Sequence, residues 1–205
     1  MSAHEKNPIP AKNKAVMKYL CAAFGASASD AVDVHAYRDD VTDHAIDVLR
    51  VSAVPEEGID SVATLTLSDH PLKDYDGNLR TFGVEFIAIG ESGDDRIANI
   101  LTTCALNIIK DDWIIAPDAI FPGVVAMYNE GGNMEHALFV DPLLGLWPED
   151  IVSVDHADGK VVFLQMIPIS NSEYNYAIKH SVDALLDKIL DTELSPHDLD
   201  RASVV

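Results

Sequence analysis

The sequence predicts an α+β fold: a mixed, mainly antiparallel sheet flanked by helices. About seven short segments alternate apolar and polar residues or are rich in β-branched side chains, while about three repeat apolar residues at helical spacing. The two kinds do not alternate strictly along the chain, which gives an α+β layer fold. The 205 residues suit one ordinary domain, and no internal repeat or linker divides them. The expected organisation is a flexible lead-in at 1–10, an α+β domain at 11–190 and a polar, frayed tail at 191–205.

The elements follow in order. Val16, Leu20, Ala23 and Phe24 recur at helical spacing, with Lys12, Lys14 and Lys18 on the wet side, so 11–24 reads as a helix that Gly25 ends. An acidic stretch at 28–43 carries Asp30, Asp33, Asp39, Asp40 and Asp43 against Arg38 alone. Ala45 to Val54 alternates with a phase slip at Val48-Leu49, which reads as a strand with a bulge. Val62–Leu67 and Phe82–Ile89 are further strands, separated by turn chemistry at Asp69–Asn78. Ile97, Ile100, Leu101, Cys104 and Ile108 form one apolar helical stripe behind Asp94 and Asp95.

An ordered loop at 111–125 should lead into a strand near 123–128, and His136–Val140 is the next strand. Ile151–Asp155 and Lys160–Ile167 are joined across Ala157-Asp158-Gly159, where Asp-Gly suits a tight hairpin, and Pro168 should stop the second strand. Ser170 and Glu173 have capping-box spacing. Tyr174, Ile178, Val182, Leu185 and Ile189 then predict one continuous helix.

Composition excludes several functions. Lys plus Arg number 14 against 34 Asp plus Glu, a formal charge of −20. Such a surface repels a phosphate backbone, so nucleic acid is not an expected partner, whereas a basic protein is. No apolar run reaches the roughly 20 residues of a membrane helix, and the N-terminus has no secretory h-region. A cytoplasmic location without membrane contact is expected. Cys21 and Cys104 stand outside any zinc or CxxC pattern and read as buried free thiols.

Catalytic and cofactor motifs are weak. Gly90-Glu-Ser-Gly93 precedes a helix, but Asp94 and Asp95 occupy the end where a phosphate would sit. His35 and His44 flank Asp39, Asp40 and Asp43, the one dense group of potential metal ligands, without the glycine or terminal glutamate of a calcium loop. Ser153, Asp155 and His156 are neighbours along a strand, which builds no triad. No metal, cofactor or enzymatic activity is expected. Negative charge combined with the aromatics Tyr37, Tyr75, Trp113 and Trp147 points instead to protein binding, since aromatic rings supply contact energy and charge steers the encounter.

Four stretches carry a family resemblance. They are Ala45–Val54 with Pro55 and the strand ending Leu65-Thr-Leu-Ser68; Gly83–Ile89 followed by Asp94–Lys110; the Pro117–Val124 loop; and Val161–Ile169 running into Ser170–Ile189. Over residues 14–190 their order resembles the suppressor-of-fused (SUFU) domain family, in its compact bacterial single-domain form. The resemblance implies a non-enzymatic binding module. The animal member is a cytoplasmic inhibitor that sequesters a transcription factor, and bacterial relatives are regarded as immunity proteins against toxins. An immunity or antitoxin-type protein with a basic toxin partner is therefore the leading expectation. A regulatory scaffold is the alternative, and a metal-dependent enzyme using Asp39, Asp40, Asp43 and His44 ranks below both. No segment matches the animal partner-binding motif, so the candidate contacts come from charge and aromaticity alone: Asp39, Asp40, Asp43, Tyr75 and Trp147.

Overall fold

The structure is a computed structural model and describes residues 10–27, 31–39, 41–143, 145–157, 159–192 and 194–205. The lead-in at 1–9, Asp30, Asp40 and the hairpin residue Asp158 lie outside the described residues. In chain order the elements are α1 (Ala11–Ala23), β1 (Val32–Arg38), β2 (Ala45–Val51), β3 (Ile59–Thr64), β4 (Gly83–Glu91), α2 (Arg96–Asp111), β5 (Ile120–Phe121), β6 (Met134–Val140), β7 (Ser153–His156), β8 (Gly159–Ser170), α3 (Asn171–Lys179) and α4 (Val182–Leu190). Short 3-10 turns occupy Leu67–Asp69 and Val125–Met127.

The strands form one sheet in the order β1-β2-β3-β4-β8-β6-β5, with β7 also paired to β8. The β4–β8 pair is parallel and the other pairs are antiparallel. The mixed, mainly antiparallel sheet flanked by helices is thus the observed architecture. Side-chain parity divides the core into two layers. Val84, Phe86, Phe139, Leu164 and Met166 meet the stripe of α2 on one face. On the other, Leu49, Ala63, Ile87, Val161 and Phe163 pack on Val16, Leu20 and Phe24 of α1. Farther along that second face, Leu138, Ile167 and Ile169 meet Ala177, Leu185 and Ile189 of α3 and α4.

Several expectations are corrected. Val48 and Leu49 are both buried because β2 is covered on both faces; its registers with β1 and β3 run without a shift, so the phase slip is no bulge. The bulge falls instead between Met134 and His136. The acidic stretch contains an exposed edge strand, β1. Residues 125–127 turn as a 3-10 helix rather than extending as a strand. The single C-terminal helix is two: Ser181 is extended (φ 179°) and its hydroxyl accepts from the Ala184 N–H, capping α4 afresh. Ile178 is consequently 70% exposed rather than part of the buried stripe. The capping box at Ser170 and Glu173 is present.

Pro168 does not end β8. Its carbonyl accepts from the Arg201 Nη2 3.0 Å away, on the side of β8 that β4 has already left. A residue's N and C=O point to the same side of its strand, so the missing N–H costs no ladder bond. The tail that delivers Arg201 is not frayed. His197, Leu199 and Arg201 are buried, and the carbonyl of Leu199 accepts from the Asn129 side chain at 2.8 Å. Its three buried side chains lie among polar residues, so helical or strand periodicity does not reveal them.

Candidate functional site

One end of the molecule gathers the β1–β2 turn, the N-termini of α1 and β4, the segment 70–82 and the C-terminus of α2. Ion pairs tie these pieces together. Lys110, in the last turn of α2, bonds Asp39 at the end of β1. Lys73 bonds Asp112 at 2.8 Å, joining the 70–82 segment to the same helix end. Cations near a helix C-terminus are favoured by the dipole, which explains why Lys110 sits there to receive Asp39. At the N-terminus of α1, Lys12 bonds Asp69.

The result is a predominantly acidic rim. Asp43, Asp74, Asp76, Asp111 and Asp112 stand with Lys73 and Arg80, while Asp39, its side chain only 8% exposed, is covered by Lys110. The Lys110 ammonium and the Val41 N–H beside Asp39 hold its carboxyl down at about 2. Hydrogen bonds from Asn78, chiefly its backbone N–H, and from the Asp76 N–H keep the Asp74 carboxyl low as well. Both aspartates therefore stay ionised at neutral pH. Asp74 also fixes its own loop by accepting from the N–H of Asp76 at 3.0 Å and of Asn78 at 2.8 Å.

Beside the rim lies a shallow groove of about 280 Å³, lined by Tyr75, Trp113, Ile114, Ile120 and Pro122 among others. Tyr75 is 71% exposed. Trp113 is half-buried and stands edge-on to Phe121, with ring centroids 4.8 Å apart, so its indole is held by the core while one side faces the groove. Asp112 adopts the left-handed conformation (φ 54°) as it ends α2, and this turns the chain to present Trp113. Exposed aromatic and aliphatic surface bordered by charge has the composition of a protein-docking site.

Of the five contacts expected from sequence, Asp39, Asp43 and Tyr75 meet at this end. Asp40 lies outside the described residues. Trp147 is elsewhere: it is 5% exposed, packs against Phe24 at the far end of α1, and donates its Nε1 proton to Ser61 Oγ at 2.8 Å. Lys12 and Phe24 bracket about 18 Å of helix. Trp147 is a core residue there because an indole packed on Phe24 with its N–H satisfied gains burial at no polar cost.

Sequence reasoning missed Lys110, Asp112 and Lys73, whose role comes from pairing across the fold. The run Lys110-Asp111-Asp112-Trp113 at a helix end was the one available signal. The suspected metal ligands are engaged separately: Asp39 with Lys110, His35 with Asp33 at 2.7 Å, and His44 edge-on to His70. Among the described residues, no group of three His, Cys, Asp or Glu side chains is arranged to hold a metal ion. Among them, too, no helix is long and apolar enough to cross a membrane.

The family model for suppressor of fused protein (SUFU) matches residues 42–202, and the chain belongs to that family. It is 38% identical over 194 residues to the immunity protein YqcF of Bacillus subtilis (strain 168), spanning 95% of this chain and 97% of that one. A putative SUFU homolog from Neisseria gonorrhoeae FA 1090 has a similar fold, with a TM-score of 0.66, 17% identity and coverage of 95% of this chain and 97% of that one. The Sufu–Fu complex matches with a TM-score of 0.66 at 13% identity, covering 97% and 93% of the two chains. Drosophila Suppressor of Fused matches with a TM-score of 0.60 at 12% identity; this chain is covered over 95% of its length and that one over 51%.

Proposed function

We propose that this protein is an immunity protein: it binds a toxin partner and neutralises it without chemistry of its own. The observation that carries the reading is the 38% identity to an immunity protein over nearly the full length of both chains. The toxin presents a basic face to the acidic rim, and an apolar side chain of the toxin enters the groove beside Tyr75 and Trp113. A formal charge of −20 accelerates such an encounter, and the fixed aromatic groove then sets the dissociation rate. Inhibition follows from covering the toxin's own site. The complex forms in the cytoplasm.

The test is a pull-down from the native host with low-salt and high-salt washes, read by mass spectrometry. One stoichiometric basic partner carrying a toxin or nuclease domain, released by salt, is expected. Recovery of several unrelated partners, or of none, would overturn the immunity reading and favour a regulatory scaffold.

A further inference from the structure

The same end of the molecule holds a second, oppositely charged feature. A cleft of about 540 Å³ opens between the N-terminus of α1, the turn at 68–72, the segment 80–83 and the end of β7 with the start of β8. Its lining includes Lys12, Arg80, Lys160, His70 and His156, with Asp69 as the acidic member. In a chain with 34 acids and 14 bases, a cleft lined among the described residues by three cations to one acid runs against the prevailing charge.

The acid is already committed. Asp69 accepts from Lys12 and, at 3.1 Å, from the Asn13 amide. Lys12 also donates to Ser68 Oγ at 2.9 Å, so its ammonium is fixed at the cleft wall. Arg80 is held over the Phe82 ring, 5.5 Å from its centroid, and gives one terminal nitrogen to the Ile115 carbonyl. That bond uses one of the five donors a guanidinium carries. Lys160 is exposed near the start of β8, lines the cleft, and has Asp155 as its cross-strand neighbour. The buried carboxylate of Glu85 is sealed behind the 3-10 turn, where Thr64, Leu67 and Ser68 donate to it.

A further observation agrees in sign. α1 is 13 residues long and starts at Pro10 on the cleft, with no side-chain cap among the described residues and no acid in its first turn. The positive end of its dipole therefore adds to the field of the three cations. Low-dielectric walls focus that field within the cleft, while Asp74 of the acidic rim is close enough to Arg80 to interact with its charge.

We propose that this cleft is a binding site for a compact oxyanion, a phosphate or carboxylate group, with Arg80 and Lys160 as its principal cationic contacts and Lys12 fixed in the wall. The site is independent of the toxin reading, because it binds the free anion.

The test is titration of the native protein, followed by ¹H–¹⁵N spectra, with inorganic phosphate and separately with acetate at constant ionic strength and pH 7. Saturable shifts confined to Ser68, His70, Gly83, Lys160 and their neighbours are expected. Lys160→Gln, at an exposed position that leaves the fold intact, and Arg80→Gln should each weaken binding about tenfold, the loss of one charged hydrogen bond. Lys179→Gln removes the same charge from α3, outside the cleft, and should leave binding unchanged. Saturation by phosphate alone assigns the site to phosphate esters; saturation by both anions assigns it to oxyanions generally, including an acidic side chain of a bound protein. Absence of saturation with either anion, or native affinity in Lys160→Gln, would overturn the proposal.

Discussion

Glu173 and Arg201 have side chains 0% and 1% exposed and bond each other at 2.5 and 2.9 Å. Glu173 also accepts from the Val204 N–H and, within the capping box, from the Ser170 N–H. The pair is therefore held from several directions through the two terminal nitrogens of Arg201, its Nε having no partner among the described residues, and removing one partner strands the other. Arg201→Ala is expected to cost about 3–5 kcal/mol in denaturant unfolding. His197 behaves in the opposite way, since it is buried with no acidic partner among the described residues and accepts from the Gln165 amide at 3.3 Å. Burial first, and then the Arg201 charge, push its imidazole down to about 3 from 6.5. The folded chain keeps it neutral while the unfolded chain takes up a proton below pH 6.5. Its contribution to stability is complete above pH 6.5 and is lost as pH falls toward 3, with a slope approaching about 1.4 kcal/mol per pH unit. Urea melts of the native chain and His197→Gln across that window should diverge, with the variant flatter. The two aromatics expected from sequence separate at this scale too. Trp147→Ala should lose about 3–5 kcal/mol of stability. Tyr75→Ala should change stability by less than about 0.5 kcal/mol and weaken partner binding about tenfold or more.

The elements differ in how firmly they are held. β8 runs for 12 residues and pairs with β4, β6 and β7 over different parts of its length. Among the described residues β1 pairs only with β2, and it is exposed or half-buried at every position. It is the kind of edge that invites pairing with another chain. The Asp33 carboxylate answers this by accepting from the Val34 N–H at 2.8 Å, occupying a donor that another strand would use. Hydrogen exchange should therefore release β1 amides well before those of β8, apart from a protected Val34. Equal protection of the two strands would refute this ordering. The C-terminal segment belongs with the firm elements, because it fills the side of β8 that β4 leaves open beyond the Ile87–Gln165 pair.

Charge organises the molecule as a whole. The acidic rim and the cationic cleft share one end of the sheet. Asp39→Lys with Asp43→Lys should reduce the association rate with a basic partner about tenfold or more at low salt, with a much smaller effect on dissociation. Stopped-flow binding at two ionic strengths measures this directly. An unchanged rate and unchanged salt dependence would remove the rim from the interface. Asp39 carries a stability term as well, because it bonds Lys110 and that bond fastens the β1 edge to α2. The Asp43→Lys single variant isolates the electrostatic effect from that structural one.

The sequence by itself determined the layers. The strand-like apolar segments of β4 and β6, the 3.6-residue stripe of α2 and the Ser170–Glu173 box are local patterns, and each was legible without the fold. The charge balance likewise pointed to a protein partner before any coordinate did. Tertiary structure alone decided what depends on neighbours distant in sequence. Trp147 reads as an exposed aromatic in its loop and is buried because Phe24 and Ser61 come to it. Pro168 reads as a strand end and sits inside β8 because its N side faces no strand. The polar tail reads as frayed and is fixed because Glu173, buried in α3, receives Arg201. The candidate site divides along the same line. Asp39 and Tyr75 could be nominated from charge and aromaticity. Their meeting at one end depends on Lys110 and Lys73, whose partners lie 71 and 39 residues away along the chain. Periodicity records which face a residue shares with its near neighbours; pairing across the fold leaves no such record.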